Sequence, residues 1–316
     1  MADEMKRPEE EYHAGHAGKE NKGSFRDAAR RNAIRGCLLG GAVGDALGAP
    51  VEFIGRKEIL RQYGENGVQG YVEFPDGTGS ITDDTQMTLF TAEGILRAHA
   101  RKKEKGSCDF VAAVRSAYRR WLKTQGGRVP KTVSEEALDS GWLIHEKQLF
   151  AWRAPGNTCI CSLEIPAELE KVPNDRKGCG TVMRMAPPGL FFAPEEAYEY
   201  GCRFSALTHG HPTGITAGGA FAIAPLPLLV ALALWGIVFE TSRYVSLASI
   251  VAAAALPLSA LVLRLTADPV QAPWYLRVRT VTVIVFAVIG ALAIFRHRSN
   301  IKRLIDGTES RFEKKK

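Results

Sequence analysis

The stretch that decides the fold is residues 221–239, which read FAIAPLPLLVALALWGIVF and contain no charged side chain. Two further apolar segments follow it, Tyr244–Leu265 and Val278–Phe295. Each of the three is about as long as a helix must be to cross the hydrocarbon core of a bilayer, for which about 20 residues suffice. The first 219 residues have mixed polarity instead. We therefore expect a globular, enzyme-like part followed by a membrane part.

The positive charge of the chain is concentrated at its C-terminal end. The net charge is +7, and residues 296–316 contain eight Lys or Arg against three acids. A basic segment directly after an apolar one is typical of the cytoplasmic side of a bilayer, where it meets anionic lipid. A solvated tail is the alternative. Because no groove-reading motif accompanies the charge, we predict a lipid bilayer as partner and no nucleic acid.

The cysteines and the N-terminus indicate a reducing compartment. All six cysteines precede the apolar part, without a C-x-x-C pair. Residues 1–25 lack the apolar core of a signal peptide, so we expect the N-terminal part in the cytoplasm, at the cytoplasmic membrane, with free thiols. Three predicted regions result: a disordered N-terminus at 1–25, a helical domain at 26–220 and a membrane region at 221–316.

Residues 26–219 are predicted to be helical. Arg26–Gly48, Thr85–Lys105 and Phe110–Thr124 have helical periodicity, and Pro50 should end the first of these helices. Glycines at every fourth position from Gly36 to Gly48 lie on one ridge of a helix. We expect another helix to pack closely on this ridge, because each interior glycine otherwise costs roughly 1 kcal/mol relative to alanine.

Several residues are predicted to have structural roles. Cys159 and Cys161 are expected to be small buried hydrophobic side chains, because no paired base is evident. His209 and His211 flank a glycine and precede a proline, which by itself is typical of a turn. Three tryptophans are expected in the core: Trp121, Trp142 and Trp152.

The first chemical signal is the tetrapeptide Thr82-Asp83-Asp84-Thr85. Adjacent carboxylates with flanking hydroxyls supply the hard oxygen ligands that Mg²⁺, Mn²⁺ or Ca²⁺ prefers. Neighbouring helical side chains diverge by about 100°, so two of them converge on one ion only near a helix end, and a helical pattern starts directly afterwards. The same residues fit an N-cap with acids in the first turn, and on the tetrapeptide alone the cap is favoured.

Further motifs accompany this signal in a fixed order. They are Gly40–Phe53 before it, and Pro155–Thr158, Gly178–Arg184 and Thr208–Pro212 after it. Together, from about residue 35 to residue 220, they strongly resemble the ADP-ribosylglycohydrolase family. The resemblance implies an all-α fold with a dinuclear Mg²⁺ or Mn²⁺ site. It also implies a substrate that is an ADP-ribosylated protein or a small molecule containing ADP-ribose.

The resemblance also assigns roles to residues. Thr82, Asp83 and Asp84 match the family's first group of metal ligands, and Glu52 matches the glutamate at its reacting centre. Residues that match the segments lining the ribose and diphosphate pocket are Asn157, Gly178, Cys179, Gly180 and His209. The implied reaction cleaves a C–N or C–O bond at an anomeric carbon through an oxocarbenium-like state, with Glu52 as acid or base.

One family motif is not found in this sequence. A second acidic group of the form D-x-D-T, which supplies further metal ligands in the family, does not occur after Asp84. Apolar sequence follows Ala220, where the family has further helices of the domain. We therefore expect an incomplete helical ADP-ribosylglycohydrolase-like domain with a weakly bound cation, followed by two or three transmembrane helices. Arg176 and Thr181 replace residues that are more often small in the family and would narrow the pocket.

The C-terminal part carries a resemblance of its own. Residues 235–250 and 295–309 closely resemble the end of bacterial acyl-phosphate-dependent glycerol-3-phosphate acyltransferases, and the resemblance covers about 221–316. His297, Asn300 and Glu309 match that family's active-site motif, where they would bind phosphate and position a glycerol hydroxyl. On charge alone, a basic tail that holds anionic lipid is favoured. The family's Ser/Arg motif and Gly-rich phosphate loop are not found upstream.

Three functional interpretations stay open. The first is a membrane-attached, impaired, Mg-dependent hydrolase of ADP-ribosyl bonds. The second is a glycerol-3-phosphate acyltransferase of phospholipid synthesis, and the third is an inactive fusion of two truncated enzymes. Three full spans would place the basic tail opposite the N-terminal part, so one segment should not span. We predict that this segment is Phe221–Phe239, which carries Pro225 and Pro227 near its start.

Overall fold

Helices build most of the computed structural model, which describes residues 9–74, 77–166, 169–268, 276 and 278–311, with backbone alone for 9–27 and 74. The helices of these residues are α1 Glu9–Gly48, α2 Arg56–Tyr63, α3 Asp83–Lys105, α4 Phe110–Thr124, α5 Glu135–Asp139, α6 Asn157–Leu163, α7 Ala186–Phe191, α8 Pro194–Ala206, α9 Pro212–Ile223, α10 Pro225–Ser242, α11 Val245–Thr266, α12 Thr280–Arg296 and α13 Arg298–Ile305. Short 3₁₀ turns occupy Ala49–Val51, Leu143–His145, Lys147–Leu149 and Cys179–Thr181. Within the described ranges the strands are β1 Glu73–Phe74 and β2 Gly77–Thr78, which pair antiparallel. The predicted all-α class is confirmed.

Helix α1 begins earlier than the sequence predicts. Its backbone is helical from Glu9, whereas residues 1–25 are expected to be disordered, so over 9–25 the structure differs from the expectation. The segment contains no proline between Pro8 and Pro50 to interrupt it. Residues 1–8 lie outside the described residues. At its other end α1 stops at Gly48, just before Pro50, as predicted.

The glycine ridge of α1 does not pack against another helix of the described chain. A Cβ atom at any of its four glycines would meet no atom within 4 Å, so this prediction is wrong. The close helix approach lies elsewhere, because a Cβ on Gly94 of α3 would come within 2.7 Å of the Cα of Val114 in α4. A single glycine with no spaced partner marks this contact, so glycine periodicity could not reveal it.

The main core lies between α3, α4, α7, α8 and α9. The two long helices each start at a side-chain cap, Thr82 for α3 and Asp109 for α4. These caps fix where the helices begin, and α4 spans Phe110–Thr124 as predicted. Aromatic rings join α4 to the end of α7 and to α8: Phe110, Phe191, Phe192 and Tyr200.

The three tryptophans differ in burial. Trp121 of α4 is fully buried and donates a hydrogen bond to Oε1 of Gln86 at 3.0 Å, which confirms its predicted place. Trp142 and Trp152 are 56% and 63% exposed, so their prediction as core residues is wrong. Both lie in the irregular segment between α5 and α6, where short turns do not cover large side chains.

Helices α10, α11 and α12 carry the apolar segments of the sequence. Of the described helices, α10 with 18 residues and α11 with 22 are long and apolar enough to cross a membrane. In each, only 17% of the most apolar window is buried inside the protein, so most of this surface faces outward. Helix α12 meets the same criterion only together with α13, at a bend of 55°, as does the bent pair of α1 from Ala28 with α2, at 98°. Two to four helical spans are thus available by length and composition.

The predicted non-spanning segment is not singled out by the structure. Residues 221–223 end α9, and α10 starts at Pro225, where a helix tolerates proline. Helix α10 alone is long and apolar enough for a span, whereas the 17-residue α12 alone is not. The choice of Phe221–Phe239 as the exception stays a prediction.

A second, small core holds the last helices together. Helix α12 approaches α11 so closely that a Cβ on Gly290 would collide with the carbonyl oxygen of Ala253. The buried residues of this core are Ala224, Ala260, Val278 and Phe286. The division of the chain at residues 220 and 221 stays a prediction.

Candidate functional site

A carboxylate of α1 holds the start of α3. Asp45 accepts hydrogen bonds from the N–H and the hydroxyl of Thr82, at 2.8 and 2.6 Å, and from the same groups of Thr85, at 3.2 and 2.6 Å. Four donors on one carboxylate compensate its charge and fix α1 against α3. No role is predicted for Asp45 from the sequence. The available signal was an acid within the otherwise small and apolar residues 40–51.

Thr82, Asp83 and Asp84 form the N-cap and first turn of α3. The Thr82 hydroxyl accepts a hydrogen bond from the N–H of Asp84 at 3.3 Å while it donates to Asp45. The cap interpretation of the tetrapeptide is therefore confirmed. The same geometry places both carboxylates at the helix end, where the metal interpretation needs them.

The loop before α6 completes the surroundings of Asp83. Asp83 is buried, its N–H donates to the carbonyl of Arg153 at 3.1 Å, and its Oδ2 accepts from the N–H of Gly156 at 3.0 Å. Between these contacts Ala154 has a φ of 50°, a left-handed conformation that is unfavourable for a residue with a Cβ. Asn157 begins α6 directly afterwards and is exposed. The loop thus brings the predicted binding residue Asn157 to the acidic helix end.

Four carboxylates influence one another at this helix end. Burial first, and then the charges of Glu52 and Asp45, raise the pKa of Asp83 to about 6, against the lowering effect of a backbone N–H and a cation. Loss of hydration first, and then the charges of Asp83, Asp45 and Glu52, raise the pKa of Asp84 to about 7, although its side chain still reaches solvent. The pKa of the exposed Glu52 is also raised, by partial burial and then by Asp45. The site holds more negative charge than its surroundings compensate, and protons or a cation relieve this excess.

The donors at this end of α3 suit a hard cation, but they do not make a complete metal site. Carboxylate and hydroxyl oxygens are the preferred ligands of Mg²⁺ and Mn²⁺. Among the residues that the structure describes, no three acidic, histidine or cysteine side chains are arranged to hold one ion. Asp83 and Thr82 are also engaged by the N–H of Gly156 and by Asp45. The chemistry of the donors fits a cation and their arrangement does not, so no step of the reaction is derived through one.

The predicted pocket residues Gly178, Cys179 and Gly180 form a turn beside His209. A Cβ on either glycine would lie 3.6 Å from Nε2 of His209, so no side chain of these glycines stands in front of this nitrogen. His209 is only 2% exposed, and burial, followed by the charge of Arg184, lowers its pKa to about 4. The imidazole beside the turn is therefore neutral at pH 7.

Two neighbours of this turn have structural contacts. Thr181 is fully buried and its hydroxyl donates to the carbonyl of Gly214 at 2.8 Å. It faces α9, so the expectation that Thr181 narrows the pocket is wrong. Nδ1 of His211 accepts from the N–H of Thr213 at 3.0 Å and caps α9, in agreement with the turn predicted for this histidine.

Two residues that the sequence did not reveal hold the Thr208–Pro212 segment. Arg184 is fully buried and donates from Nη2 to Oγ1 of Thr208 at 2.5 Å. Asn174 accepts from the N–H of Gly210 at 2.8 Å and donates to the carbonyl of Thr208 at 3.0 Å. Arg184 ends one of the family motifs, which was a usable signal, whereas Asn174 has no local signal.

The cysteines are free thiols, as predicted. Cys159 is 1% exposed, which confirms its place in the core. Cys161 and Cys179 are exposed, so the prediction that Cys161 is buried is wrong. Two helical positions separate Cys161 from Cys159, which turns the two side chains to opposite faces of α6.

The predicted residues of the C-terminal part gather around one pocket. This pocket has a volume of about 290 Å³, and its lining residues are Val245, Ser246, His297, Asn300, Glu309, Ser310 and Arg311. Nδ2 of Asn300 donates to Oε1 of Glu309 at 2.9 Å, and Nε of Arg303 donates to its Oε2 at 2.7 Å. Hydrogen bonds from Asn300 first, and also from Arg303, lower the pKa of Glu309 to about 2. The carboxylate of Glu309 is therefore already compensated by donors of the chain itself.

Comparison with known proteins finds relatives of two kinds. A glycerol-3-phosphate acyltransferase of Endomicrobium trichonymphae is 41% identical over 109 residues, which are 34% of this chain and 47% of the relative. Another, of Geobacter sulfurreducens, is 40% identical over 99 residues, 31% of this chain and 44% of the relative. An uncharacterized protein of Archaeoglobus fulgidus is 31% identical over 198 residues, 60% of this chain and 53% of the relative. The chain spans about half the length of the curated relatives it matches.

Among solved structures, PlsY, an integral membrane glycerol 3-phosphate acyltransferase in its glycerol 3-phosphate form, aligns with 73% of this chain and 96% of its own. The identity is 22% and the TM-score 0.29, so the fold described above rests on the structure of this chain itself. The model of the ADP-ribosylglycohydrolase family matches residues 26–305. Both resemblances predicted from the sequence are thus confirmed. Because this match covers most of the chain, the chain belongs to the ADP-ribosylglycohydrolase family.

Proposed function

We propose that this chain is a membrane-attached hydrolase that cleaves ADP-ribosyl bonds slowly. The observation that carries the proposal is the group of four carboxylates at the start of α3, Asp45, Glu52, Asp83 and Asp84, where burial and neighbouring negative charge raise the pKa of Glu52, Asp83 and Asp84. Membership of the family supports hydrolysis as the reaction. The substrate class is an ADP-ribosylated protein or a small molecule that contains ADP-ribose.

The proton transfers of this reaction are assigned to Glu52. Hydrolysis breaks the N- or O-glycosidic bond at the anomeric carbon, water adds its oxygen to that carbon, and a proton passes to the leaving group. Glu52 has a raised pKa, which moves it towards the range where a carboxyl both gives and takes a proton. The charges of Asp83 and Asp84 stabilise the positive charge that develops on the sugar ring.

A divalent cation, Mg²⁺ or Mn²⁺, is proposed to bind weakly at Thr82, Asp83 and Asp84. The excess negative charge supports binding, and the incomplete set of acidic ligands among the described residues supports low affinity. Such an ion would offset part of the excess negative charge of Asp83 and Asp84. Calorimetry with both ions should give weak binding that is lost in Asp83→Ala/Asp84→Ala. Tight binding of two ions per chain would contradict this part of the proposal.

Helices α10 and α11 are proposed to attach the chain to the cytoplasmic membrane. Their length and their outward apolar surface support two spans. The basic residues after Arg296 favour the cytoplasmic face, and two spans place the N-terminal part on that same face. The hydrolase site would then act in the cytoplasm.

Release of ADP-ribose from modified protein, by the full chain in detergent, tests the main proposal. We expect slow release that falls at least about tenfold in Glu52→Gln and in Asp83→Asn, because each removes a charge or proton carrier at the reacting centre. Glu58→Gln, which removes an acid of α2 paired with Arg61, is the matched control and should leave the rate unchanged. A rate that Glu52→Gln leaves unaltered would overturn the proposal.

A second candidate function is acyl transfer from an acyl phosphate to glycerol 3-phosphate. The pocket that gathers His297, Asn300 and Glu309 favours it, as do the relatives that carry this name. In this reaction the glycerol hydroxyl forms an ester with the acyl carbon and inorganic phosphate leaves. We expect no lysophosphatidate, because the Gly-rich phosphate loop of these enzymes is not in the sequence. Robust lysophosphatidate formation that is lost in His297→Ala and kept in Glu52→Gln would make this function the correct one.

The assays for ADP-ribose release and for lysophosphatidate formation together test the third interpretation, an inactive fusion. An inactive fusion of two truncated enzymes would form neither ADP-ribose nor lysophosphatidate under any metal condition. That result would overturn both catalytic proposals at once.

A further inference from the structure

A buried cation that forms no ion pair with the described residues lies behind the His209 turn, although its charge acts on Asp83 at longer range. Arg184 is 0% exposed, and Nη1 and Nη2 donate to three neutral atoms: Sδ of Met87 at 3.4 Å, Sγ of Cys159 at 3.3 Å and Oγ1 of Thr208 at 2.5 Å. Its guanidinium lies 4.8 Å from the centroid of the Tyr118 ring. Its Nε has no hydrogen-bond partner among the described residues. A buried cation is normally paired with a carboxylate, so this costly arrangement calls for a role beyond packing.

Thr208 connects this cation to His209. The hydroxyl of Thr208 accepts from Nη2 of Arg184, because an arginine N–H only donates. Its own proton is then available for Nδ1 of His209, which lies 2.8 Å from the same oxygen. Imidazole nitrogen is a stronger acceptor than the thiol sulfur of Cys159, the other acceptor near this hydroxyl. A hydroxyl that accepts from a cation is also polarised into a better donor.

The position of the charge favours the same arrangement. A proton on Nδ1 would direct the positive end of the N–H dipole towards Thr208 and the guanidinium of Arg184 behind it, which is unfavourable. A lone pair on Nδ1 is instead attracted by the positive charge of the guanidinium. His209 is neutral at pH 7, since its pKa is lowered to about 4. A neutral imidazole carries one proton, so a histidine that accepts at Nδ1 donates at Nε2.

We propose that Arg184, acting through the hydroxyl of Thr208, is a positioning residue that fixes His209 with its one proton on Nε2. This nitrogen lies beside Gly178 and Gly180, which place only backbone next to it because glycine has no side chain. The turn therefore presents a neutral hydrogen-bond donor to an anionic oxygen, such as a phosphate oxygen of the ligand. The identity of the ligand rests on the proposed function, whereas the tautomer does not.

Nuclear magnetic resonance of the full chain in detergent, labelled with ¹⁵N-histidine, measures the tautomer directly. Of the seven histidines, His209 is identified by the signal lost in His209→Gln and by its neutrality at about pH 5. We expect the wild type to carry the proton on Nε2 at pH 7. A proton on Nδ1 would overturn the proposal without reference to any variant's stability.

Variants of Thr208 test the relay. Thr208→Val keeps the shape without the hydroxyl, and we expect the proton to spread over both nitrogens and the affinity for ADP-ribose to fall about tenfold. Arg184→Met should have the same effect on the tautomer. Thr208→Ser keeps the hydroxyl and should behave as the wild type. Thr216→Val, a change at an exposed position of α9, should alter neither reading.

The possible failures of the relay and of the proposed function are distinguishable. An unchanged tautomer in folded Thr208→Val would overturn the relay, whatever the affinity for ADP-ribose. A wild type that keeps the predicted tautomer but does not bind ADP-ribose would support the relay and overturn the proposed function. Restoration of both readings by Thr208→Ser, with their loss in Thr208→Val, would support both.

Discussion

The acids at the start of α3 and the single acid of the tail site, Glu309, are ionised to opposite degrees. At the start of α3, lost hydration and mutual repulsion raise the pKa of Asp83 to about 6 and that of Asp84 to about 7. In the tail, hydrogen bonds from Asn300 first, and also from Arg303, lower the pKa of Glu309 to about 2. The difference lies in how many donors are directed at each carboxylate. The α3 cluster remains open to protons or a cation, whereas the tail cluster already holds its counter-charges.

The largest expected effect comes from separating the two clusters. A chain ending at Ala220 keeps the α3 cluster and loses α10 to α13, which carry the outward apolar surface. We expect the full chain to require detergent for extraction from cell membranes, because lipid covers that surface. The shortened chain should be absent from the detergent-extracted membrane fraction. A full chain that is soluble without detergent would remove membrane attachment from the proposed function.

Loss of the best-compensated acid at α3 should have the next largest effect. Asp45→Ala removes four hydrogen bonds that join α1 to α3, and we expect the free energy of unfolding to fall by about 3 kcal/mol. Thermal unfolding in detergent should show a midpoint several degrees lower. Asp109→Ala removes an ordinary helix cap and should cost only about 1 kcal/mol. Equal costs for the two variants would mean that Asp45 acts as a cap and no more.

The raised pKa values predict an unusual dependence of stability on pH. Between 3.8 and about 6, the folded chain binds more protons at Asp83 than the unfolded chain does, so this group destabilises the fold increasingly as pH rises. The shift corresponds to about 3 kcal/mol at most, and we expect about 2 kcal/mol to be measurable. Asp83→Asn should therefore gain stability relative to the wild type between pH 4 and pH 7.

Thermal midpoints of both chains across this range test the sign. Mg²⁺ should stabilise the wild type more at pH 7 than at pH 4, because only the ionised cluster attracts it. Mg²⁺ should stabilise Asp83→Asn less than the wild type at both pH values. A wild type and variant with parallel pH profiles would show that Asp83 is ionised normally and would remove the contrast with the tail.

Local signals in the sequence predicted the helices well and their packing poorly. Asp109 and the periodicity after it define α4 completely, because a cap and a helical face are properties of adjacent residues. The glycine ridge of α1 is also a local property, but whether a helix lies on it depends on the rest of the fold. The contact that does occur, Gly94 against Val114, needs the relative position of two helices. Length and apolar composition are also properties of adjacent residues, and they predicted α10 and α11 correctly.

The candidate sites divide in the same way. Asn300 and Glu309 are close in sequence, so the motif that suggested them also brings them together. Thr82, Asp83 and Asp84 are adjacent, and their position at a helix start could be predicted. Asp45 bonds to residues 37 and 40 positions away, and Arg184 to one 24 positions away. Such contacts arise only from tertiary packing, which no single sequence pattern specifies.

The smallest expected effect on stability comes from Glu309 in the tail, whose pKa is lowered where those of the acids at α3 are raised. A Glu309 with a pKa of about 2 is ionised throughout the neutral range. The stability that it contributes is present above its ordinary value of 4.5 and is lost as pH falls from there towards 2. Glu309→Gln should therefore differ from the wild type by a constant amount between pH 5 and pH 8, whereas the difference between Asp83→Asn and the wild type still changes from pH 5 to pH 7. Asp306→Asn, at a nearby exposed acid, is the control and should leave the midpoint unaltered. A ¹³C carboxyl signal of Glu309 that titrates between pH 4 and pH 6 would mean that its donors do not compensate it, and that the two clusters differ in place but not in charge.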